Sequence, residues 1–314
     1  MATQTAVAVR AGRKWSTQRR REVAWAYAFL TPAFFFLIVL LLFPILFAFW
    51  ISLRDWSLIP RPYPFVGLGN YVEAFKDPLT IKSIKNTFIY TIGAVPVSMV
   101  ISLALALVMN LETLPFRTLF RTAYFIPVIT SWVAVSFVWI WMFEPRWGLV
   151  NTFLAWFGIH GIKWLASPKW ALPAVIIVSI WKGLGYNMVI FLAGLQTIPR
   201  ELLEAAKIDG ASRWQSFWSV TLPLLNPTIV FITVTAVIGS LQVFTPAVIM
   251  TSGFGGEAGG PINSTRVMVY HIYSMAFRAN RLGYGAALAF ILFAIVLVVT
   301  IIQLRVTQRD IEYG

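Results

Sequence analysis

Cysteine is absent from this 314-residue sequence, and histidine occurs only twice, as His160 and His271. The absence of cysteine excludes disulfides, thiolate metal sites and a cysteine nucleophile. The two histidines lie in separate predicted loops without metal-ligand spacing, so we expect no metal site. Charge is also scarce, because Asp, Glu, Lys and Arg make up 12% of the residues while 59% are hydrophobic. A water-soluble core of this size would not bury so much apolar surface, and the composition predicts a protein solvated by lipid.

Long uncharged runs dominate the sequence. A membrane-spanning helix needs ~20 residues, and four runs without Asp, Glu, Lys or Arg reach that length. Two further spans are less clear, because one contains Lys182 and the other belongs to an uncharged run, 214–256, that is too long for one crossing. The six predicted spans are 24–53, 86–111, 122–143, 171–195, 222–250 and 282–304. Their continuous apolarity favours helices over a β-barrel and predicts an all-α integral membrane protein with six transmembrane helices.

A basic cluster ahead of the first span predicts the orientation. It consists of Arg10, Arg13, Lys14, Arg19, Arg20 and Arg21. Because Lys and Arg concentrate in cytoplasmic segments, we expect a basic cytoplasmic tail at 1–23, a transmembrane domain at 24–306 and a second cytoplasmic tail at 307–314. The later loops do not help, since those placed outside hold about as many basic residues as those inside. The first span is long and lacks a small-residue cleavage site, which favours a retained helix over a signal peptide.

The predicted cytoplasmic loop 197–220 has the local signals of two short helices. The first is predicted to begin near Pro199, with Glu201 and Glu204 in its opening turns, where acidic groups suit the positive end of the helix dipole. Gly210 can adopt the left-handed conformation that closes such a helix. This loop therefore forms a compact helical feature on the cytoplasmic face.

The second helix of the loop begins with a capping-box spacing, Ser212 and Gln215, and is predicted to continue to Pro223. A helix-turn-helix in a protein of net charge +13 invites a DNA-binding interpretation. Here, however, acidic and basic residues balance: Arg200, Lys207 and Arg213 against Glu201, Glu204 and Asp209. A neutral surface with small residues at 205 and 206 favours a protein partner over nucleic acid.

This loop resembles the signature of the permeases of ATP-binding-cassette (ABC) importers, which reads Glu-Ala-Ala, three residues, Gly, nine residues, Ile, one residue, Leu-Pro. The matching residues are Glu204, Ala205, Ala206, Gly210, Leu222 and Pro223, with Val220 in place of Ile. Three further stretches, 181–196, 239–244 and 270–277, look like the carbohydrate-uptake branch of that family, the maltose and glycerol-phosphate permeases. Together these stretches extend the resemblance over roughly spans two to six.

The resemblance implies a type I ABC importer permease (MetI-like) fold, in which the first helix of the loop is a cytoplasmic coupling helix. The residues expected to couple to the ATPase are Glu204, Ala205, Ala206, Asp209, Gly210, Leu222 and Pro223. The implied partners are a second permease subunit, expected to be a different chain, two cytoplasmic ATPase subunits and an extracytoplasmic solute-binding protein. The implied location is the plasma membrane of a bacterium or archaeon.

ATP hydrolysis is expected to reside in the partner subunits. The chain contains no Gly-Lys dipeptide and therefore no phosphate-binding loop of the Walker type. We accordingly expect ATP and Mg on the ATPase subunits, no cofactor on this chain and no enzymatic activity of its own.

A sugar site inside a membrane protein should combine hydroxyl, amide and aromatic groups, because sugars present hydrogen-bonding edges and apolar ring faces. Spans three to five supply such groups, and the resemblance to maltose-type permeases implies a cavity at several of the same positions. The predicted substrate-binding residues are Trp132, Ser179, Lys182, Gly183, Tyr186, Asn187, Ser240 and Gln242.

Lys182 has three possible roles, because a charge near mid-span usually faces protein or water. It could cap carbonyl groups of a helix broken at Gly183 and Gly185. It could instead contact the substrate, which would favour an anionic sugar or glycerol phosphate. The third possibility is an ion pair with the partner permease.

Other classes of function fit less well. A secondary transporter needs an internal repeat and buried acidic coupling residues, but no Asp or Glu lies in any predicted span. An intramembrane enzyme needs a nucleophile and base or paired metal ligands within the spans, and the sequence shows neither. Within the importer class, the alternative is a permease for glycerol phosphate or another anionic solute. An amino-acid or peptide permease would share the cytoplasmic loop but not the carbohydrate-type stretches.

Overall fold

The computed structural model describes residues 17–59, 62–111, 113–252 and 258–307. Within these ranges the chain forms helices and no β-strand, apart from an isolated antiparallel bridge between Arg54 and Phe65. The chain divides into two compact units, Met1–Ile51 and Ser52–Gly314. The predicted all-α fold is confirmed.

The helices that matter for the site lie mostly in the second unit. In chain order, the helices are α1 (Thr17–Ser52), α2 (Gly69–Lys76), α3 (Pro78–Met109), α4 (Arg117–Ile129), α5 (Trp132–Met142), α6 (Leu149–Ala155), α7 (Ala171–Gln196), α8 (Arg200–Ile208), α9 (Arg213–Leu224), α10 (Asn226–Leu241), α11 (Thr245–Ser252), α12 (Met268–Tyr273) and α13 (Leu282–Thr307).

The membrane-spanning candidates agree with the six predicted transmembrane helices. Four of the described helices, α1, α3, α7 and α13, are long and apolar enough to cross a membrane alone. Two bent pairs, α4 with α5 and α9 with α10, pass the same test together, with bends of 101° and 65°. The described residues therefore offer up to six crossings.

The second span begins earlier than the uncharged run suggested, at Pro78 rather than at residue 86. Asp77 caps this helix by accepting two backbone hydrogen bonds, at 2.9 and 3.3 Å, and Pro78 occupies the first helical position, where its missing N–H costs nothing. Counting uncharged residues leaves out this first part of α3, because it carries Lys82 and Lys85.

The third and fifth spans are not single helices. The predicted span 122–143 bends sharply between Ile129 and Trp132, where two residues with extended backbone interrupt the helix. The predicted span 222–250 ends its main helix at Leu241, and α11 begins only at Thr245. Hydrophobicity alone cannot locate such breaks, since the residues on both sides remain apolar.

The α3–α7 pair forms the centre of the second unit, because α3 packs more extensively against α7 than against any other described helix. Ala174, Val175 and Val178 of α7 belong to one buried apolar cluster. Met188 and Phe191, further along the same helix, belong to another. The polar positions of α7 lie between these clusters, so the packing on both sides fixes their orientation.

A buried polar network joins the start of α3 to α12 and α13. His271 is fully buried, and its Nδ1 accepts a hydrogen bond from Arg266 Nε at 3.1 Å. Because Nδ1 is the acceptor, Nε2 carries the proton and donates to Thr80 Oγ1 at 2.9 Å. The Thr80 hydroxyl donates to Asp77 at 2.9 Å, and Tyr284 donates to the same carboxylate at 3.2 Å. The network therefore holds His271 as a neutral imidazole.

This network makes stability depend on pH below neutrality. Burial lowers the pKa of His271 from its usual 6.5 to about 4, and the Arg266 charge acts in the same direction, while Asp77 opposes the shift. The unfolded chain therefore binds the histidine proton first as the pH falls below 6.5, and the folded state loses stability until about pH 4. Partial burial raises the pKa of Asp77, but hydrogen bonds from Leu79 and Thr80 outweigh this and bring the pKa below 3.8. Asp77 therefore does not titrate in the pH range in which His271 does.

We expect the Tm of the purified protein to fall between pH 7 and pH 5, because His271 alone contributes a loss on the order of 2 kcal/mol over that range. His271→Gln offers an acceptor to Arg266 and a donor to Thr80 without titrating, so it should flatten this dependence. His160→Gln, at an exposed loop position, is the matched control and should retain the wild-type dependence. An unchanged pH dependence in His271→Gln would contradict the assignment.

Candidate functional site

A cavity of about 400 Å³ lies among α3, α5, α7 and the segment that follows α10. It is lined by all but one of the predicted substrate-binding residues: Trp132, Ser179, Gly183, Tyr186, Asn187, Ser240 and Gln242. Lys182 does not line it. The structure thus brings together residues from three predicted spans that are far apart in the sequence.

One face of α7 supplies most of the polar lining. Ser179, Gly183, Tyr186 and Asn187 follow one another at helical spacing, so they lie on the same side of the helix. Tyr186 is 49% exposed, while Asn187 is buried and donates to Ser98 Oγ at 3.2 Å. This face leaves hydroxyl, amide and aromatic groups directed at the cavity.

The opposite wall comes from α10 and the residues after it. Ser240 is buried and donates to Thr91 Oγ1 of α3 at 3.1 Å. Gln242 ends α10, and the aromatic ring of Phe244 follows in the non-helical link to α11. The break in the predicted fifth span therefore lies at the cavity, where the irregular backbone borders space and not lipid.

Sequence reasoning missed the contribution of α3 to the cavity. Tyr90, Ala94 and Ser98 all line it, and they are spaced four residues apart on one face of that helix. This polar pattern inside an otherwise apolar span was the signal that could have revealed them. None of the described residues lining the cavity carries a charge.

Lys182 caps the broken third span instead of entering the cavity. Its buried ammonium group donates to the carbonyl oxygens of Pro127, Val128 and Thr130 at 2.6, 3.2 and 2.8 Å. These carbonyls belong to the C-terminal end of α4, which carries unsatisfied acceptors and partial negative charge. The ammonium also lies 5.0 Å from the ring centre of Trp132, within cation–π distance.

This arrangement supports the first of the three roles considered for Lys182, and the ion pair with a partner permease stays a prediction. Lys182 does cap carbonyl groups at the end of a broken helix, but the predicted break at Gly183 and Gly185 is wrong, because α7 continues through both residues. The broken helix is the preceding span. Lys182 forms no ion pair with a carboxylate among the described residues, and it neither lines the cavity nor faces it.

Local sequence explains why the third span bends where it does. Thr130 and Ser131 have extended backbone conformations, and Ser131 caps α5 by accepting a hydrogen bond from the Val133 N–H at 3.2 Å. Gly185 of α7 faces the carbonyl oxygen of Tyr124 so closely that a Cβ atom would clash with it. The missing side chain lets α4 approach α7 and brings its end within reach of Lys182.

The cytoplasmic-loop predictions are confirmed in their local structure. Pro199 precedes α8, Gly210 has a φ of +80°, and Ser212 and Gln215 form the reciprocal capping box that begins α9. Of the predicted coupling residues, Glu204, Ala205 and Ala206 lie within α8, and Asp209 ends it. Leu222 and Pro223 lie at the far end of α9, next to the bend into α10.

Helix α8 exposes an apolar surface that the second unit leaves uncovered. None of its residues is buried, and Ile208 is 86% exposed. Leu203 on the other side packs against a buried cluster of α3 and α7 residues, which anchors the helix. Sequence reasoning did not single out Ile208, because its exposure depends on how Leu203 orients α8.

Comparison with known proteins identifies the family of this chain. A family model described as "Binding-protein-dependent transport system inner membrane component" matches residues 80–310. A lactose transport system permease protein of Rhizobium radiobacter is 38% identical over 283 residues, which cover 88% of this chain and 92% of the relative. An arabinooligosaccharides transport system permease protein of Halalkalibacterium halodurans is 34% identical over 282 residues, covering 90% and 87%.

A solved structure shares the fold. It is a chain of a bacterial alginate ABC transporter in complex with an alginate pentasaccharide-bound periplasmic protein, with a TM-score of 0.80 and 24% identity over 95% of this chain and 98% of that one. The described helices, the family match over most of the chain and this shared fold lead to one assignment. The chain belongs to the family of binding-protein-dependent transport system inner membrane components, which are multi-pass membrane proteins of transporters and not enzymes.

Proposed function

We propose that this chain is the permease subunit of an ATP-driven importer, and that it translocates a sugar or short oligosaccharide through the cavity beside α7. The observation that carries the proposal is the uncharged lining of that cavity, in which hydroxyl, amide and aromatic groups converge. Such groups suit the hydrogen-bonding edges and apolar faces of a sugar ring. The similar permeases for lactose and arabinooligosaccharides support the same class of solute.

The engagement of Lys182 favours a neutral solute over an anionic one. A phosphate or carboxylate in a low-dielectric cavity would require a cationic partner, and the ammonium nearest the cavity is already bonded to three carbonyl groups. The glycerol-phosphate alternative is therefore less well supported than a neutral sugar.

Energy is proposed to come from two cytoplasmic ATPase subunits, with a second permease subunit completing the translocation path. The exposed apolar side of α8 suits an ATPase cleft, and Glu204, Ala205, Ala206 and Asp209 are proposed to contact it. An extracytoplasmic binding protein would deliver the solute, in the way that a pentasaccharide-bound periplasmic protein accompanies the alginate transporter. Both termini are proposed to be cytoplasmic, which is supported by the basic residues that precede the first apolar run at residue 24.

ATP binding would act on the cavity through α8. Closure of the ATPase subunits would draw α8 inward, and the spans attached to it would reorient so that the cavity changes the side to which it opens. This is a two-state element whose equilibrium is biased by a ligand at a distant site. The role of this chain is to bind the sugar weakly and to convert the movement of α8 into a change of access.

Removing one hydroxyl from the cavity should test the proposed site. Tyr186→Phe is expected to raise the KM for uptake by about 5- to 10-fold, because a hydrogen bond to a neutral group contributes about 1 kcal/mol. Ser240→Leu should lower transport further by placing a larger side chain in the wall. The measurement is uptake of radiolabelled mono- and disaccharides by the assembled complex in proteoliposomes. Tyr27→Phe, at an exposed position of α1, is the matched control.

Two outcomes would count against the proposal. If Tyr186→Phe and Ser240→Leu both keep the wild-type KM and rate, the solute passes elsewhere. If the complex carries amino acids or anionic solutes but no sugar, the substrate class is wrong even though the permease assignment stands.

A further inference from the structure

A second cavity, of about 740 Å³, lies between the first turns of α3, the start of α7 and the short turn Pro261–Asn263. We call it the basic groove, because its lining includes Lys82, Lys85 and Lys169 and no acidic residue among the described ones. It is separate from the sugar cavity, with which it shares no lining residue.

The three lysines keep most of their hydrogen-bonding capacity. Lys82 Nζ donates to the carbonyl oxygen of Ile262 at 2.6 Å, and the Lys169 ammonium lies 5.7 Å from the ring centre of Trp170. None of the three forms an ion pair with a described carboxylate. Like charges collected in one groove repel each other, and an anion bound between them would offset that repulsion.

The same groove has an apolar side. Ile81, Lys85 and Ile89 lie on one face of α3, four residues apart. The two isoleucines are 54% and 45% exposed, and Leu172 of α7 adds to this side. Cationic and apolar groups thus alternate along one strip, which is the pattern expected for an amphipathic ligand.

The position of the groove along the helices matches the level of lipid headgroups. Lys85 comes directly before the uncharged run 86–111, and Trp170 immediately precedes α7. Tryptophan concentrates at the membrane interface, and lysine there extends its ammonium toward the headgroups. Ile89, one helical turn deeper than Lys85, lies where acyl chains begin.

An unpartnered hydroxyl provides an independent observation. Ser264 lines the groove and is nine-tenths buried, yet its Oγ has no hydrogen-bond partner among the described residues. Buried hydroxyl groups in native proteins are normally hydrogen-bonded. The turn that carries Ser264 therefore leaves one hydroxyl donor unused at the wall of the groove.

We propose that the basic groove binds the phosphodiester headgroup of an anionic phospholipid, with one acyl chain against Ile89. Under the topology of the proposed function, on which this placement rests, the lipid belongs to the outer leaflet. Such a site also gives a reason for the lysines at this end of the bundle, where the usual bias of basic residues toward the cytoplasm predicts few. Free phosphate would use the lysines but not Ile89.

The test is lipid binding to the whole purified complex, which does not depend on transport. Native mass spectrometry during titration with phosphatidylglycerol should show that Lys85→Gln/Lys169→Gln weakens the binding of the tightest bound lipid by roughly 25-fold, given about a 5-fold loss for each lysine near the headgroups. Titration with phosphatidylcholine should not distinguish the variant from the wild type. Arg146→Gln/Lys163→Gln removes the same charge from exposed loop positions outside the groove and should leave both affinities unchanged.

Three results would overturn the proposal. Equal phosphatidylglycerol affinity in the groove and control variants would exclude the site. Displacement of the lipid by millimolar inorganic phosphate alone would show a simple anion site. Loss of stimulation by the binding protein, with lipid affinity unchanged, would show that the lysines contact that protein instead. Failure of sugar uptake would affect none of these readouts.

Discussion

Lys182→Met is expected to lower the Tm of the purified complex strongly and to abolish sugar uptake. The methionine side chain has similar length but no donor, so the carbonyl groups of Pro127, Val128 and Thr130 would lose the ammonium donor, and only Pro127 would keep another, the Thr130 hydroxyl. Hydrogen bonds to a charged group contribute about 1.5–3 kcal/mol each and are not additive, so we expect a loss of ~3 kcal/mol or more. The freed end of α4 would also release Trp132 from its position at the cavity.

The Lys182 experiment separates a capping role from a substrate-binding role. Lys163→Met, at an exposed loop position, controls for the loss of one positive charge and should match the wild type. Lys182→Arg keeps the charge and several donors, so it should recover part of the stability. Wild-type Tm combined with a raised KM in Lys182→Met would mean that the ammonium binds solute, and our assignment would be wrong.

Gly210→Val is expected to uncouple the proposed ATPase subunits from the permease. Gly210 has a φ of +80°, and no described residue other than its chain neighbours comes within 4 Å of the position that a Cβ would occupy. The cost is therefore backbone strain of ~1 kcal/mol or more, without a steric clash. Relief of that strain would turn α8 relative to α9 and misplace the surface that we assign to the ATPase.

Gly210→Asn is the matched control, because asparagine tolerates the left-handed region far better than a β-branched residue. Glu204→Lys and Ile208→Asp test the surface of α8 directly, and both should insert normally, since no residue of α8 is buried. The measurement is retention of the ATPase subunits in detergent and hydrolysis stimulated by the loaded binding protein. If Gly210→Val, Glu204→Lys and Ile208→Asp all retain full stimulation, α8 does not couple.

The sequence predicted the helices well and their interruptions poorly. Continuous apolar runs identify segments that cross lipid, and the capping box at Ser212 and the glycine at 210 identify the two helices of the loop. The bend at Thr130 and Ser131 escaped prediction because its stabilisation is tertiary: the carbonyl groups freed there are bonded by Lys182, more than 50 residues away. The local marks are Pro127 within α4 and Ser131 at the start of α5, and neither predicts a bend of this size.

The predicted cavity residues on α7 follow from its spacing, since Ser179, Gly183, Tyr186 and Asn187 lie on one helical face. Lys182 was included because a mid-span charge suggests function, yet its position in the helix turns it away from that face and toward α4. The close packing of α4 against Gly185 places the end of α4 on the side to which Lys182 points. The residues of α3 escaped notice because single polar side chains in an apolar span are ambiguous until a neighbouring helix defines which face is covered.

Because α7 is continuous, it connects the cavity to the cytoplasmic loop as one rigid helix. The segment 183–196 runs unbroken from the cavity toward the loop, a length of ~20 Å at ~1.5 Å per residue. A tilt of about 10° around the cavity would displace the loop end by about 3.5 Å on this length, while Lys182, next to the pivot, would keep its bonds to the end of α4. The cavity wall and the loop therefore move together. A small displacement at one end of this segment reaches the other end without rearrangement of the residues between them.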